Sequence, residues 1–347
     1  AIGLKNNIMK ILWVTNSILP ELAEALNIAH KPFEGWLVNL AYQISENNID
    51  LTIATAERNM TFSRHKGQKI NYYILNSIKK KGIYDKSLEP QWQKIINDVK
   101  PDIIHIQGSE NAHALALINI HPAGNYILSL QGLITICARY YKAGISSSEI
   151  LKSLTLRFLL KGESILSEQR EFIKRSETIE KKYFQSINNF IGRTEWDRIH
   201  SKYLNKNSSY FFCNEMLRSR FYIEKPWSFE KCNKHSIFLS QGNYPLKGFH
   251  QVLKAVSLIK DDFPKLKIYF AGRDILMKEK KLINLIKQKN YGRYLNKIIS
   301  EYKLEKNVIY LGTLNESEMI REYKKSNIFI CPSSIENSPN SLAEAQI

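Results

Sequence analysis

Cysteine is scarce in this sequence and never occurs as a close pair. The 347 residues include four cysteines, Cys137, Cys213, Cys232 and Cys331, and none of them belongs to a Cys-x-x-Cys motif. This spacing excludes a zinc ribbon, a thioredoxin-like redox pair and a disulfide framework. Because few and dispersed cysteines are typical of reducing compartments, we expect a cytoplasmic protein.

Long hydrophobic segments and glycine-rich nucleotide motifs are also missing. No apolar run approaches the ~20 residues of a membrane-spanning helix, and the longest are short pieces such as Ala114–Ile120. The first apolar run is not followed by Gly-x-Gly-x-x-Gly, and no Walker loop is present, so an oxidoreductase or a P-loop nucleotidase has little support. The length favours two domains, because single hydrophobic cores stop growing near roughly 250–300 residues.

Acidic residues are outnumbered by basic ones. Lys plus Arg is 50 and Asp plus Glu is 33, which gives a net charge of +17. Such an excess indicates an anionic partner, which could be nucleic acid, an anionic membrane surface or a phosphorylated small molecule. The basic residues are scattered, and no zinc finger or RNA-recognition aromatic motif occurs, so we expect no nucleic-acid partner. Peripheral binding to the inner membrane face stays open.

Short β-rich runs alternate with helical patterns in the first half of the chain. The strand-like runs are Lys10–Thr15, Asp50–Thr55, Pro101–Gln107 and Asn125–Leu130. A helical pattern over Gly35–Asn47 separates the first two, with apolar residues spaced by four. This alternation predicts a parallel, doubly wound sheet.

The same alternation restarts in the second half. Its strand-like runs are Ser236–Ser240, Lys267–Ala271, Asn307–Leu311 and Asn327–Cys331, and its helical patterns are Phe249–Lys260, Leu276–Tyr302 and Glu316–Lys325. The polar, irregular run Tyr222–His235 between the halves is typical of a domain boundary. We therefore predict an α/β protein with an N-terminal domain over residues 1–225 and a C-terminal domain over residues 236–347.

The stretch Ser146–Ser186 is long, charged and helical. Apolar residues recur in it seven apart, at Leu151, Phe158, Ile165, Phe172 and Ile179. One apolar stripe of this kind favours an ordinary helix pair docked on a core. A membrane-surface or acceptor-side helix is the alternative.

Two strand-to-helix turns in the second half have chemistry suited to an anionic ligand. In Ser240–Gly248 a strand ends, glycines allow close approach of the backbone, and Lys247 stands just before a helix, where it could meet a phosphate. In the second turn, Ile328–Glu344, Ser338 resembles an N-cap and Pro339 a first helical residue. The amides of Asn340, Ser341 and Leu342 would then point at an anion.

Glu336 and Glu344 form the Glu-x7-Glu pattern of retaining glycosyltransferases with the GT-B fold. Their surroundings resemble glycosyltransferase family 4 (group 1), of the type found in bacterial polysaccharide biosynthesis. The segments similar to that family are Gly35–Leu37, Pro101–Ile106, Gln131–Gly132, Arg193–Arg198, Gly242, Lys247–Gly248, Val308–Gly312 and Ile328–Ser333. The resemblance extends over nearly the whole chain and is strongest at the C-terminal motif.

The resemblance implies a GT-B fold, in which two Rossmann-like, doubly wound domains face a cleft. The N-terminal domain would bind the acceptor and the C-terminal domain the nucleotide sugar. Relatives of this kind continue past the helix that carries Glu344, so we expect the C-terminal domain to be incomplete at Ile347. The implied catalytic residues are Lys247, on the donor diphosphate, and Glu336, on the transferred sugar. Further implied donor-binding residues are Gly242, Asn340, Ser341, Leu342 and, on the ribose, Glu344. Arg193 is a further candidate for the donor phosphate, with a simple salt link as the alternative. The candidate acceptor or cleft residues are Gly35, Gln131 and His105, and for His105 a partly buried place in a strand is the alternative.

The implied activity is transfer of a hexose, with retention, from a nucleotide sugar to a glycan or lipid-linked acceptor in surface polysaccharide biosynthesis. A lysine and a helix dipole would stabilise the leaving group, so neither a metal nor another cofactor is expected. Gln131 stands where relatives often have a histidine, and a glutamine cannot take a proton. Two alternatives stay open: a non-catalytic polyanion- or partner-binding protein on a decayed GT-B fold, and a nucleotide-sugar epimerase of the same fold.

Overall fold

The computed structural model describes residues 8–28, 35–277 and 286–347, which form two compact units. The first unit takes the described residues up to Thr135 together with Lys174–Leu217, and the second takes Ile136–Ile173 together with Arg218–Ile347. Within the described ranges, no helix combines the length and the apolar character that crossing a membrane requires.

The first unit is built on a sheet of eight strands among the described residues. The strands are β1 (Met9–Thr15), β2 (Ile49–Arg58), β3 (Ser63–Lys66), β4 (Asn71–Ser77), β5 (Ile103–Gln107), β6 (Tyr126–Ser129), β7 (Asn189–Gly192) and β8 (Ser209–Phe212). Their order is β3-β4-β2-β1-β5-β6-β7-β8, and every pair is parallel except β3 with β4. The predicted parallel sheet is confirmed. The antiparallel β3–β4 hairpin was not predicted; its short turn is closed by Gly67 N donating to Ile70 O at 2.9 Å.

The second unit is built on a four-stranded parallel sheet. Its strands are β9 (Asn233–Leu239), β10 (Lys267–Phe270), β11 (Val308–Tyr310) and β12 (Ser326–Phe329), in the order β11-β10-β9-β12. Parallel sheets are covered on both faces, which explains why β9 and β10 read as apolar runs. Leu239, Phe270 and Ile298 are among the buried side chains of this core.

The helices of the described residues alternate with these strands along the chain, and the last helix follows β12. They are α1 (Pro20–Ala25), α2 (Gly35–Ser45), α3 (Glu89–Val99), α4 (His113–Ile120), α5 (Ile134–Tyr140), α6 (Ser147–Leu151), α7 (Leu156–Lys161), α8 (Ile165–Arg175), α9 (Lys181–Ser186), α10 (Glu195–Leu204), α11 (Phe249–Ile259), α12 (Asn290–Glu301), α13 (Glu316–Lys325) and α14 (Asn340–Gln346). The predicted helix Glu316–Lys325 is confirmed, and Asn315 caps it in a capping box with Glu318. Of the predicted helix Leu276–Tyr302, residues 278–285 lie outside the described residues.

The division into units differs from the predicted domains, 1–225 and 236–347, because residues 136–173 belong to the second unit. Tyr141, Ile145, Ile150 and Ile165 are buried in the same core as the side chains of α11 and α12. Asn290 fastens this segment: its Nδ2 donates to Ile150 O at 3.2 Å and to Ser153 O at 2.6 Å, and its Oδ1 accepts from Ile165 N. The chain therefore passes between the units at three places.

The prediction of one docked apolar stripe over Ser146–Ser186 is wrong. Gly162 adopts a φ of +67° at the end of α7 and ends that helix, so the seven-residue spacing does not continue on one helix face. Ile165 and Ile179 are buried in different units, whereas Leu151 is exposed. The stretch forms α6, α7, α8, a π-helical turn and α9 instead.

Candidate active site

The two loops whose sequences suit an anionic ligand contact each other. They follow β9 and β12, which are neighbouring parallel strands, so both loops leave the sheet at its carboxyl edge. Ser334 N donates to Leu246 O at 2.9 Å. A Cβ atom at Gly248 would lie 2.0 Å from Pro332 O, and Gly248 also has a φ of +69°. Only glycine allows this crossing of the loops without strain.

The crossing pairs the two predicted catalytic side chains. The ammonium of Lys247 forms an ion pair and hydrogen bond with Glu336 Oε1, and the two side chains are only 13% and 23% exposed. Burial by itself would lower the pKa of Lys247, but the Tyr244 hydroxyl and Glu336 outweigh it, so the pKa of Lys247 lies above its ordinary value. Lys247 is therefore a cation at neutral pH, and a bound anion would compete with Glu336 for it.

The packing of the loop after β9 against α11 explains why residue 242 is a glycine. A Cβ atom there would lie 3.0–3.2 Å from side-chain atoms of Phe249, the first residue of α11. The glycine thus lets the loop after β9 lie close against the helix. Its predicted contact with the donor stays a prediction.

The carboxylate of Glu344 is held by an arginine that no sequence motif indicated. Arg218 Nε donates to Glu344 Oε1 and Arg218 Nη2 to Oε2, both at 2.7 Å. Tyr323 also donates its hydroxyl to Glu344 Oε2 at 3.3 Å. Arg218 and Glu344 are 126 residues apart, so no local spacing could have revealed the pair.

The start of α14 is shifted by one residue from the prediction. Pro339 is the N-cap and Asn340 the first helical residue, while Ser338 has a φ of +56°. Leu342 N donates to Pro339 O at 2.9 Å. The amide of Leu342 is therefore engaged within the helix turn, which corrects the prediction that all three amides point at an anion. The donor contacts of Asn340 and Ser341 stay predictions.

Arg193, predicted as a donor-binding residue, lies in the first unit and forms an ion pair with Glu215. The two side chains are 9% and 8% exposed. Arg193 N also donates to Asp197 Oδ2 at 3.0 Å. The guanidinium thus has a structural partner within its own unit, and its contact with a donor phosphate stays a prediction.

His105 is packed inside the sheet of the first unit. Its Nε2 lies 2.7 Å from Ser129 Oγ, and its ring meets the Trp13 ring edge-on at a centroid distance of 5.6 Å. Burial lowers the pKa of His105 to about 4. The imidazole is therefore neutral at pH 7 and serves packing in this structure.

The low pKa of His105 predicts a loss of stability in acid. An unfolded histidine takes up its proton near pH 6.5, so the free energy of unfolding is insensitive to this group above that pH. The free energy of unfolding falls by about 1.4 kcal/mol per pH unit as the pH drops from 6.5 towards 4. We expect His105→Gln to reduce the difference in unfolding free energy between pH 7.5 and pH 5.0 by about 2 kcal/mol, measured by urea unfolding. An equal pH dependence in the two proteins would contradict this assignment.

Gln131 lines a cavity of about 350 Å³ in the first unit. Trp36 and Leu37, which follow Gly35 at the start of α2, line the same cavity, as do Gln107 and Glu110. The structure thus brings Gln131 and the two residues after Gly35 to one cavity, whereas Gly35 itself does not line it. His105 is not among the residues that line it.

A second cavity, of about 410 Å³, lies in the second unit. Tyr323 and Glu344 form part of its wall together with Trp227 and Phe329, but neither Lys247 nor Glu336 lines it. Volume alone does not locate the reacting groups, so we place the candidate site at the Lys247–Glu336 pair.

The C-terminal part of the chain is similar to a known protein family. Residues 223–347 match the family described as glycosyl transferases group 1. No curated protein sequence gives a significant match to the chain. The matched segment contains Gly242, Lys247, Glu336 and Glu344, so the candidate site lies within the part of the chain that is similar to this family.

Solved structures of similar fold cover nearly the whole chain. Sucrose-phosphate synthase from Thermosynechococcus elongatus has a TM-score of 0.62 and 11% identity, over 97% of this chain and 78% of that one. A TarM variant from S. aureus, in complex with fondaparinux, α-GlcNAc-glycerol and UDP, has a TM-score of 0.58 and 10% identity, over 97% and 84%. A glycosyltransferase from Rickettsia africae has a TM-score of 0.51 and 15% identity, over 94% and 73%. These likenesses confirm the GT-B fold.

Proposed function

We propose that this protein is a retaining glycosyltransferase that moves a hexose from a nucleotide sugar to a glycan or lipid-linked acceptor in surface polysaccharide biosynthesis. The observation that carries the proposal is the partly buried Lys247–Glu336 pair, formed where the two loops of the matched segment cross. A cation and a carboxylate side by side suit a donor whose diphosphate departs as positive charge develops on its sugar.

The chemistry follows from the two side chains. Lys247 exchanges its carboxylate partner for the oxygens of the donor diphosphate and neutralises the charge that grows on the leaving group. Glu336, released from the lysine, stabilises the positive charge that develops near the anomeric carbon. Because the cation comes from the protein, we propose that neither a metal ion nor another cofactor is required. Glu344 binds the ribose, and the acceptor binds to the first unit, where Gln131 and Trp36 line the cavity.

A panel of nucleotides tests the proposal. We expect UDP, GDP or ADP, or one of their sugars, to raise the melting temperature of the full chain, because a ligand at 100 times its dissociation constant adds about 2.7 kcal/mol to the free energy of unfolding. The shift should be the same in EDTA and in magnesium. A panel without any stabilising nucleotide would refute the donor site, and a shift lost in EDTA and restored by magnesium would refute the metal-free mechanism.

The second proposed partner is an anionic membrane surface, which holds the protein peripherally at the inner face of the membrane. The supporting feature is an exposed surface on α6 and α7 that we call the leucine surface. It consists of Leu151, Leu156, Leu159 and Leu160, which are 47–76% exposed, with the exposed Lys152 and Lys161 beside them. Apolar side chains among lysines suit insertion between anionic headgroups.

Sedimentation with vesicles tests the leucine surface. We expect the double variant Leu159→Gln and Leu160→Gln to bind vesicles of phosphatidylglycerol and phosphatidylcholine at least about 10-fold more weakly than the wild type, since two inserted side chains lose apolar burial. Leu258→Gln is the matched control, because Leu258 is 83% exposed on α11 of the same unit. High salt should release the wild type, because screening shortens to about 3 Å at 1 M. Salt-independent binding to purely neutral vesicles, or equal losses in both variants, would contradict the proposal.

A further inference from the structure

We propose that Arg218 is a positioning residue for the donor nucleotide: it fixes the carboxylate of Glu344 so that this carboxylate accepts one ribose hydroxyl. The inference rests on the proposed function, in which Glu344 binds the ribose. It adds a residue outside the segment that matches the glycosyltransferase family, since Arg218 precedes residue 223.

The geometry of the pair suits a positioning role. Two parallel bonds of 2.7 Å join the guanidinium fork to both oxygens of Glu344, and the side chains are 17% and 7% exposed. A bidentate pair fixes the plane of a carboxylate as well as its position. A lysine, which acts as a point charge, would not fix that plane.

The acceptor sites of the Glu344 carboxylate are nearly filled. A carboxylate has about four lone-pair sites. Arg218 occupies one site on each oxygen, and the Tyr323 hydroxyl occupies a second one on Oε2. Among the described residues this leaves one site, on Oε1. A carboxylate held in this way can accept one further hydroxyl in a fixed direction.

Arg218 is itself held in place. Its guanidinium carbon lies 4.9 Å from the centre of the Phe221 ring. The Phe221 ring meets the Tyr323 ring edge-on at 5.9 Å. The Tyr323 hydroxyl shares its single proton between Glu344 Oε2, at 3.3 Å, and Ser341 O in the first turn of α14, at 3.0 Å. These contacts connect Arg218 to the helix that carries Glu344. Rigid support of this kind is what a positioned binding group needs.

Calorimetric titration of the full chain separates positioning from a merely structural role. The probes are UDP, ADP and GDP, each compared with its 2′-deoxy and 3′-deoxy forms. A lost hydrogen bond to a charged group weakens binding about 10-fold or more. We expect the wild type to discriminate against one deoxy form by that factor, and Arg218→Lys to lose most of this discrimination. Arg220→Lys is the matched control, because the exposed Arg220 bonds Ser317 instead and should keep the wild-type ratio.

Tyr323→Phe provides a second test if Arg218→Lys does not fold. It removes the hydroxyl from Glu344 while the ring can keep its packing, so we expect a smaller loss of discrimination in the same direction. If Arg218→Lys folds and still discriminates between the nucleotide and its deoxy forms as the wild type does, the positioning role is overturned. If Arg218→Lys does not fold, the same result in Tyr323→Phe overturns it. A wild type that binds a nucleotide and its deoxy forms equally well overturns the ribose contact of Glu344 itself. A wild type that binds none of the nucleotides overturns the proposed function, and the inference with it.

Discussion

Glu336→Gln is expected to lower kcat about 10- to 150-fold while the KM for the donor changes little. Glu336 lies beside the reacting sugar in the proposed mechanism, so its charge is worth most when the glycosidic bond breaks. Losing one charged contact costs roughly 1.5–3 kcal/mol, which corresponds to this range of rates. Glutamine keeps the shape of the side chain and can still accept a hydrogen bond from Lys247.

Glu344→Gln is the matched comparison in the same steady-state kinetics. The ribose does not change during the reaction, so a contact with it contributes equally to substrate and transition state and appears in KM rather than kcat. The structure also predicts a loss of stability for Glu344→Gln. Arg218 would keep its charge in a mostly buried place without the carboxylate that balances it, so the free energy of unfolding should fall by ~3 kcal/mol. A wild-type kcat for Glu336→Gln, in a protein that melts normally, would refute the catalytic assignment.

Gly248→Ala is expected to destabilise the protein strongly and to abolish donor binding. An alanine at a φ of +69° costs about 1–2 kcal/mol, and its Cβ would lie 2.0 Å from Pro332 O. The loops after β9 and β12 must then move apart, which separates Lys247 from Glu336. We expect a total loss of ~4 kcal/mol in the free energy of unfolding, in the range that marks a specific structural conflict.

Gly162→Ala is the control for Gly248→Ala. Gly162 has a φ of +67°, almost the same as that of Gly248, but no atom lies within 4 Å of an added Cβ. Urea unfolding of this variant therefore measures the backbone contribution alone, about 1–2 kcal/mol. Equal losses in the two variants would show that the contact with Pro332 does not matter, and the explanation of the loop crossing would be wrong.

The sequence was sufficient where the pattern is local. The alternation of apolar runs and helices predicted the parallel sheets, and the two strand-to-helix turns predicted an anion site near Lys247. The roles of Lys247 and Glu336 on the donor were implied by the resemblance to the glycosyltransferase family. β9 and β12 are neighbours in the sheet, which is why residues 89 positions apart meet. The polar strand β3 carried no apolar signal and was missed.

The partners of the site residues could not be predicted, because they are set by tertiary contacts. Nothing near Arg218 in the sequence indicates Glu344, and nothing near Glu215 indicates Arg193. The seven-residue spacing over Ser146–Ser186 was misleading for a related reason. The seven-residue spacing does not show that Gly162 ends a helix. It also does not show which unit each helix of this stretch belongs to.

The segment 136–173 has a consequence for how the chain folds during synthesis. Its residues Tyr141, Ile145 and Ile150 are buried with side chains of α11 and α12, and the bond from Asn290 Nδ2 to Ile150 O spans 140 positions. Long-range contacts of this kind form slowly. The segment leaves the ribosome well before α12 does, so its apolar side chains stay unpacked until α11 and α12 have been synthesised.

A fragment that begins at residue 223, where the family match begins, would lack that segment and would expose the apolar surface of α11 and α12 on which the segment packs. We expect such a fragment to aggregate unless residues 136–173 are supplied on the same polypeptide or as a separate peptide.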